Sequence, residues 1–354
     1  MRIVLMNTKT MCIEELTELV VSALIASGIE KDESGIVANV LINANLMGMD
    51  SHGVDLLPTY LRRIEQGGIL KNPKKQVIFE STFMKIIDAD GGIGPVTACQ
   101  AATDAINQAN ENGISIVMVR NSNHIGMLGY YTRMIASENQ LGIVLTNSGP
   151  NVAAWGGKEA VLGNNALSVA LPNDGGIPFV LDMATGEVAC GKIRDLAEKG
   201  INEMPRTWAL NAAGQPASHP QEFIDGGVVL PFGGHKGFGI GMVVDLLTGV
   251  LSGGSYSVNV KRQRVHADKI SESCHTFIAL DVSKIAPLEE FNGRVQDWLE
   301  SIKNSLKADG VEEILIPGEK EKRAMEHRKE GIPIAVGTYN KLKLINDQLQ
   351  LSLI

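Results

Sequence analysis

The sequence predicts an α/β protein that begins with a helical region and continues into a core of strands and helices. Residues 13–66 carry apolar side chains at helical spacing, interrupted by glycines. From residue 76, short strand-like runs alternate with helix-like runs and glycine turns. We expect residues 1–75 with 317–354 to form a helical domain, and residues 76–316 to form the α/β core.

In the helical part, three helices are predicted over residues 13–27, 36–47 and 59–66, and Pro58 can start the third. In the core, apolar patterning predicts strands at 76–80, 84–88, 114–119, 142–146, 167–171, 179–181 and 276–282. It predicts helices at 96–110, 130–138, 187–198, 240–251, 289–306, 320–329 and 339–351. Residues 242–251 are apolar on nearly all sides, so we expect that helix to be buried.

A glycine-rich turn in the core resembles a dinucleotide fingerprint but does not complete it. Gly92 and Gly94 fit the first two glycine positions, yet Thr97 stands in place of the third and Pro95 follows directly. A tight turn is the better interpretation than a phosphate cradle.

Composition excludes several classes of protein. The 354-residue chain has a formal net charge of −8, which argues against nucleic acid or an anionic membrane as a partner. Its four cysteines form no CxxC pair, and its histidines show no HxxEH spacing, so neither a metal-dependent hydrolase nor a zinc dehydrogenase is favoured. The apolar run at the N-terminus is too short for a signal peptide and no other run reaches membrane-spanning length, so we expect a cytoplasmic protein without a metal site.

Two histidines lie where catalytic side chains are often found. His52 stands between Ser51, which can hydrogen-bond one ring nitrogen, and Gly53, in the connection between two predicted helices. The same residues also fit an ordinary helix C-terminus. His124 lies between a strand end and a helix start, where it serves either a site or merely a helix cap.

Two other stretches are candidates for binding an anion. Asp182 ends a predicted strand before a predicted helix, where it could hold a ribose hydroxyl, orient an imidazole or simply cap the helix. The run from Gly233 to Gly239 has four glycines around His235 and Lys236. It is not a P-loop, but Lys236 is available for phosphate or carboxylate. The alternative is that these glycines only allow close packing.

Several motifs in order resemble the type 2 malate/L-lactate dehydrogenase family. They are Asp50-Ser51-His52-Gly53-Val54 with Pro58 and Tyr60, Ser122-Asn123-His124-x-Gly126, Asp182-Met183-Ala184-Thr185, Gly233-Gly234-His235-Lys236-Gly237-Phe238-Gly239, and Pro317-Gly318-Glu319. The resemblance implies an NAD(P)-dependent oxidoreductase for small 2-hydroxy or 2-oxo acids, with NAD slightly favoured over NADP. It implies a non-Rossmann fold with a mixed-sheet core flanked by helices, and a homodimer with active sites at the interface.

The resemblance also assigns roles. His52 looks like the proton donor, Ser51 and Asp182 like its relay partners, and His124 like an alternative acid/base. The positions that correspond to cofactor contacts are Ser148, Asp182, Met183, Ala184, Thr185, His235, Lys236, Gly318 and Glu319.

Two departures fall on the substrate side. Leu56 stands where the family often has a carboxylate-binding arginine, and Gly163-Asn164-Asn165-Ala166 replaces Gly-Thr-Asn-Pro. Asn164 and Arg120 are the candidate substrate residues, with Arg62 as another cation. These departures leave open a shifted substrate, such as a cyclic imino or ureido acid, or a binding protein that has lost activity.

Overall fold

A computed structural model describes residues 8–172, 175, 176, 178–351 and 353. The α-helices are α1 (Ile13–Ala26), α2 (Lys31–Leu46), α3 (Leu57–Gln66), α4 (Gly94–Asn112), α5 (Leu128–Ser137), α6 (Cys190–Glu198), α7 (Pro220–Ile224), α8 (His235–Asp245), α9 (Leu288–Lys303), α10 (Glu319–Arg328) and α11 (Val336–Gln348). The strands are β1 (Thr8–Met11), β2 (Gln76–Glu80), β3 (Met84–Asp88), β4 (Ile114–Ser122), β5 (Gln140–Thr146), β6 (Val152–Ala153), β7 (Ala160–Leu162), β8 (Ala166–Ala170), β9 (Val180–Ala184), β10 (Ala209–Leu210), β11 (Val228–Val229), β12 (Ser273–Asp281) and β13 (Ile332–Ala335).

The main sheet is mixed and has seven strands in the order β2-β3-β4-β12-β5-β8-β9. Among its described strands β3 and β4 pair in parallel, and the other neighbours are antiparallel. Helices α4 and α5 pack on one face through small and aromatic side chains such as Ala101, Ala105 and Tyr131. The strand order differs from a doubly wound dinucleotide fold, so the predicted non-Rossmann mixed sheet is confirmed.

The two ends of the chain meet in the helical part. Strand β1 pairs antiparallel with β13, and the core formed by α1, α2 and α3 also contains Ile332, Ile334, Leu342 and Ile345 from the C-terminal segment. The chain order alone did not predict this strand pair.

A second, smaller sheet has the strand order β10-β11-β6-β7. It shares a core with α6 and α7 through residues such as Ile193, Phe223 and Val229. Because its strands have only two or three residues, they carry too little periodicity to be predicted from the sequence.

Two expectations were wrong. Strand β9 continues through Asp182 to Ala184 and α6 begins only at Cys190, so Asp182 lies inside a strand and does not cap that helix. The segment 242–251 is buried on one face only, since Val244 and Thr248 are buried whereas Met242, Leu246 and Leu251 are each about half exposed (51%, 51% and 53%). Among the described residues, no helix is both long and apolar enough to cross a bilayer.

Candidate functional site

His52 ends a short 3-10 turn, Asp50–His52, between α2 and α3. The Asn45 side chain brackets this turn, since its amide nitrogen donates to Asp50 Oδ1 at 2.8 Å and its oxygen accepts from the Val54 N–H at 2.8 Å. Gly53 is required there because an added Cβ would lie 2.1 Å from the Asn45 side-chain oxygen. The glycine therefore allows a close approach, and its φ of −90° is in the ordinary range.

Helix α10, in the last part of the chain, also holds this turn. Arg328 donates to both carboxylate oxygens of Asp50, at 2.6 and 3.2 Å, and to the Asn45 carbonyl at 2.5 Å. This is a bidentate, charge-assisted contact. It fixes the backbone two residues before His52.

His124 lies between the end of β4 and the start of α5, as the sequence predicted. Its Nδ1 accepts a hydrogen bond from the Gly126 N–H at 3.2 Å and lies 3.0 Å from the Tyr60 hydroxyl. A backbone N–H can only donate, so Nδ1 must be unprotonated and the neutral ring carries its proton on Nε2. His124 is therefore held as an N–H donor.

The two imidazoles lie together. The His52 and His124 ring centroids are 5.7 Å apart with the planes inclined by 28°, and the Ser51 hydroxyl is 3.0 Å from His52 Nδ1. Burial lowers the pKa of His52, and the Arg264 charge lowers it further. Burial also lowers the pKa of His124 well below its usual range, aided by the charges of His52, His275, Arg264 and Arg63. Because burial and nearby cationic groups both disfavour the imidazolium form, both rings are neutral at pH 7 in the free protein.

Asp182 projects from β9 toward α5. Its Oδ2 accepts the Gly129 N–H at 2.6 Å, in the first turn of that helix. Burial raises the Asp182 pKa to about 7, the Glu321 charge raises it too, and the Gly129 hydrogen bond opposes the shift. Within the described chain no hydrogen bond joins Asp182 to His52 or Ser51, so its relay role stays a prediction.

The structure brings several expected cofactor residues to one edge of the main sheet. Asn165 joins them: its side chain accepts from the Ser148 N–H and donates to the Gly241 carbonyl, while its own carbonyl accepts from the Thr185 N–H. Next to it, the Asn164 side chain accepts from the Gly186 N–H at 2.7 Å. Asn164 and Asn165 thus tie Ser148 and the end of β9 to α8.

The loop before α8 lies at the same edge. Gly233 and Gly234 have positive φ values of 54° and 68°, and a Cβ on Gly234 would lie 2.9 Å from the Trp155 ring. His235 and Lys236 are exposed in the first turn of α8. They border an apolar cleft of about 500 Å³ between α8 and the outer face of the main sheet, lined also by Ile143, Leu145, Leu167, Gly239, Ile240, Val243, Val244, Leu247 and Ile278.

The turn at Gly318 lies against the start of β9. The Val180 N–H donates to the Pro317 carbonyl at 2.9 Å, and Gly318 has a φ of 99°. The Glu319 side chain is already engaged, because it accepts from the Ile316 N–H at 2.7 Å and pairs with Lys303. Only the backbone of this turn is left to face a ligand beside β9.

The expected substrate residues are not all free. Arg120 pairs with Asp88 at 3.0 Å and also donates to the Gly253 carbonyl. Leu56 is buried in the core of the helical part and, being apolar, offers a substrate carboxylate no charge. Sequence reasoning gave no role to Tyr60, Arg264 or Arg328. Tyr60 had a local signal, because it follows Pro58 in the first turn of α3, whereas the two arginines lie far from His52 in the chain.

No group of three or more potential metal-ligating side chains is found within the described residues. The site therefore contains two neutral imidazoles, each close to a hydroxyl group, and arginine charges act on both. Such a site can exchange one proton with a bound anion and donate a hydrogen bond to it.

Comparison with known proteins extends these observations. Residues 11–343 match the sequence model of a family described as malate/L-lactate dehydrogenase. A malate dehydrogenase of Pyrococcus abyssi is 43% identical over 91% of this chain and 90% of its own length. An L-sulfolactate dehydrogenase of Methanocaldococcus jannaschii is 35% identical over 96% of this chain and 97% of its own. The solved structure of sulfolactate dehydrogenase from the same organism superposes with a TM-score of 0.90 at 34% identity, covering 98% of both chains.

Proposed function

The chain belongs to the malate/L-lactate dehydrogenase family and is a 2-hydroxyacid dehydrogenase, and we propose that it transfers a hydride between a nicotinamide dinucleotide and a small 2-hydroxy or 2-oxo acid. The observation that carries this proposal is the pair of neutral imidazoles of His52 and His124, 5.7 Å apart, each with a pKa lowered by burial and by the Arg264 charge. The relatives named for malate and sulfolactate act on acids of this kind.

We assign the proton to His52. Reduction of a 2-oxo acid places negative charge on the oxygen that accepts a proton, and an imidazolium is a suitable donor. Ser51 Oγ lies 3.0 Å from His52 Nδ1 and fixes the ring, so that Nε2 is left to exchange the proton. In the oxidation direction the neutral His52 accepts the same proton. Its lowered pKa suits it to that direction near pH 7.

His124 fits a different role. Its Nδ1 is occupied by the Gly126 N–H and the Tyr60 hydroxyl, so protonating that nitrogen would break the Gly126 hydrogen bond. We assign to its Nε2–H a hydrogen bond to the substrate oxygen or carboxylate. In this assignment His52 carries the proton, and His124 donates a hydrogen bond that orients the substrate.

The edge formed by Ser148, β9 and the α8 loop fits a dinucleotide. Lys236 and the N–H groups of His235 and Lys236 at the start of α8 suit a pyrophosphate, and the adjoining apolar cleft of about 500 Å³ suits a ring. The residues that would hold the cofactor are Ser148, Asp182, Met183, Ala184, Thr185, His235, Lys236 and the backbone of Gly318. The bound cofactor supplies the hydride; the protein supplies orientation and the proton.

We also propose a homodimer. The segment formed by α8 and the turn after it exposes Ile240, Met242, Val243, Leu246, Val250 and Leu251 at 39–53% each. A group of exposed apolar side chains on one continuous segment favours a protein interface. A second copy over α8 would cover the apolar cleft and the cofactor edge beside it, which supports a site completed at the interface.

The proposal is tested by following absorbance at 340 nm with a panel of 2-oxo acids and cyclic imines, each with NADH and with NADPH. Turnover of at least one 2-oxo acid supports the proposal, and the ratio of kcat/KM for the two cofactors decides between NAD and NADP. Turnover of cyclic imines alone would indicate a shifted substrate, and tight cofactor binding without any turnover would indicate a binding protein.

Sedimentation of the purified protein and of Leu246→Asp tests the dimer, since the variant should be monomeric.

A further inference from the structure

The site described above lacks a charged partner for the carboxylate of its substrate. The expected arginine is replaced by Leu56, which is only 2% exposed and packs in the core of the helical part. Arg120 is paired with Asp88. A small acid bound beside His52 and His124 therefore needs another cation.

A surface loop carries a candidate for this cation. The loop from Lys261 to Ser271 is tied to the site by three long-range contacts. Arg63 donates to the Lys269 carbonyl at 2.8 Å, Arg62 donates to the Arg264 carbonyl at 3.4 Å, and the Ser271 N–H donates to the side chain of Asn123 at 3.0 Å. Asn123 directly precedes His124, so these contacts hold the loop beside the two imidazoles.

Arg264 lies in this loop with its side chain exposed. Its guanidinium makes no hydrogen bond or ion pair with any residue that the structure describes, although its charge acts on both His52 and His124. It is thus a cation without a partner among the described residues, and its backbone is held in place by the contact with Arg62. Arg62 is less suitable, because its own guanidinium is directed at the Arg264 backbone.

The buried charge of Arg63, which contacts the same loop, indicates that an anion binds nearby. Arg63 is fully buried, and among the described residues its guanidinium bonds to the oxygens of Gly68, Asn123 and Lys269. Its Nε and Nη1 have no hydrogen-bond partner within the described chain. A buried guanidinium without a carboxylate leaves a positive potential, which a bound anion would offset.

We propose that Arg264 holds the carboxylate next to the reacting carbon of the substrate, in place of the arginine missing at position 56, while the buried Arg63 adds attraction without contact. This inference rests on the proposed function. A bidentate guanidinium contact made equally in the bound substrate and in the transition state lowers KM and changes kcat little.

The test compares Arg264→Gln with Lys269→Gln. The control also removes one exposed positive charge from the same loop, but at a residue to which we assign no contact with the substrate. Pyruvate and oxaloacetate are reduced by each variant under saturating cofactor. Arg264→Gln should raise KM for both acids by about 10–100-fold with kcat within about 3-fold, and Lys269→Gln should change KM by less than about 3-fold. Free guanidinium should partly restore Arg264→Ala.

The outcomes are distinguishable. A loss confined to oxaloacetate would overturn the assignment to the carboxylate next to the reacting carbon, because pyruvate has only that one. An unchanged KM in Arg264→Gln, or equal losses in both loop variants, would overturn the inference while leaving the proposed function standing. Wild-type protein that reduces no 2-oxo acid with either cofactor would overturn the proposed function, and the inference with it.

Discussion

Arg328 in α10 donates hydrogen bonds to both carboxylate oxygens of Asp50, at 2.6 and 3.2 Å, although the two residues are 278 positions apart in the sequence. This contact links the C-terminal helical segment to the turn that carries His52. Asn45 completes it, since its carbonyl oxygen also accepts from Arg328. The position of the proposed proton carrier thus depends on Arg328, whose hydrogen bonds are made to Asp50 and Asn45 and not to His52 itself.

We expect Arg328→Gln to lower kcat by on the order of 10-fold, because a small displacement of His52 costs alignment. Binding of the nicotinamide cofactor should be unchanged, as measured by fluorescence titration. The matched control is Arg323→Gln on the same helix, which removes an exposed pair with Glu313 and should leave kcat within about 2-fold. Equal losses in the two variants would show that α10 acts only on general stability.

Gly53→Ala should destabilise the protein by about 2–3 kcal/mol, because the new Cβ would lie 2.1 Å from the Asn45 side-chain oxygen. Asn45 would then lose its bonds to Asp50 and Val54. Urea unfolding measures the effect. Gly35→Ala in α2 is the control, since nothing lies within 4 Å of its Cβ position, and it should be neutral or slightly stabilising. If Gly53→Ala costs as much in an Asn45→Ala background, the clash is not the cause.

The pH dependence should report His52. Its pKa is lowered by burial and by Arg264, so kcat/KM for 2-oxo acid reduction should fall as pH rises through a value below 6.5, where the imidazolium is lost. The oxidation of the 2-hydroxy acid needs the neutral ring, so its kcat/KM should rise over the same range and level off near neutrality. Removing the charge in Arg264→Gln should move both midpoints upward. Profiles that do not respond to Arg264→Gln would contradict this assignment.

Asp182 should make stability depend on pH. Its pKa is raised to about 7, chiefly by burial, so the protonated acid is favoured in the folded state. Its contribution to stability is full below its ordinary value near 4 and is lost as pH rises through about 7. Between pH 5 and pH 8 the wild type should lose on the order of 2 kcal/mol relative to Asp182→Asn, which can still accept the Gly129 N–H. Urea unfolding of both proteins, with the exposed Asp309→Asn as control, measures this. Parallel curves for wild type and Asp182→Asn would rule it out.

Local patterns predicted the parts of the fold that depend on neighbouring residues. The strands β2 and β3 were predicted with the bounds that the structure shows, because alternation and turn residues are local. The connection that carries His52 and the strand end that precedes His124 were predicted for the same reason. The mixed, non-Rossmann sheet followed from the family resemblance together with the incomplete glycine fingerprint.

The remaining features depend on long-range contacts. The pairing of β1 with β13 and the contact of Arg328 with Asp50 join the two ends of the chain, and no local signal marks either. The apolar pattern of residues 242–251 predicted burial, yet one face of this segment is exposed in the single chain. Apolar residues are equally suited to a core and to an interface, so periodicity alone cannot separate the two.

The most direct test of the account is single-turnover reduction of a 2-oxo acid by His52→Asn, with cofactor affinity measured on the same protein. We expect the rate of reduction to fall by about 10²–10⁴-fold while the affinity for the reduced cofactor stays within about 2-fold. His124→Asn should retain more of the rate and lose more in KM. Near-normal turnover by His52→Asn would contradict the central claim that this imidazole carries the proton.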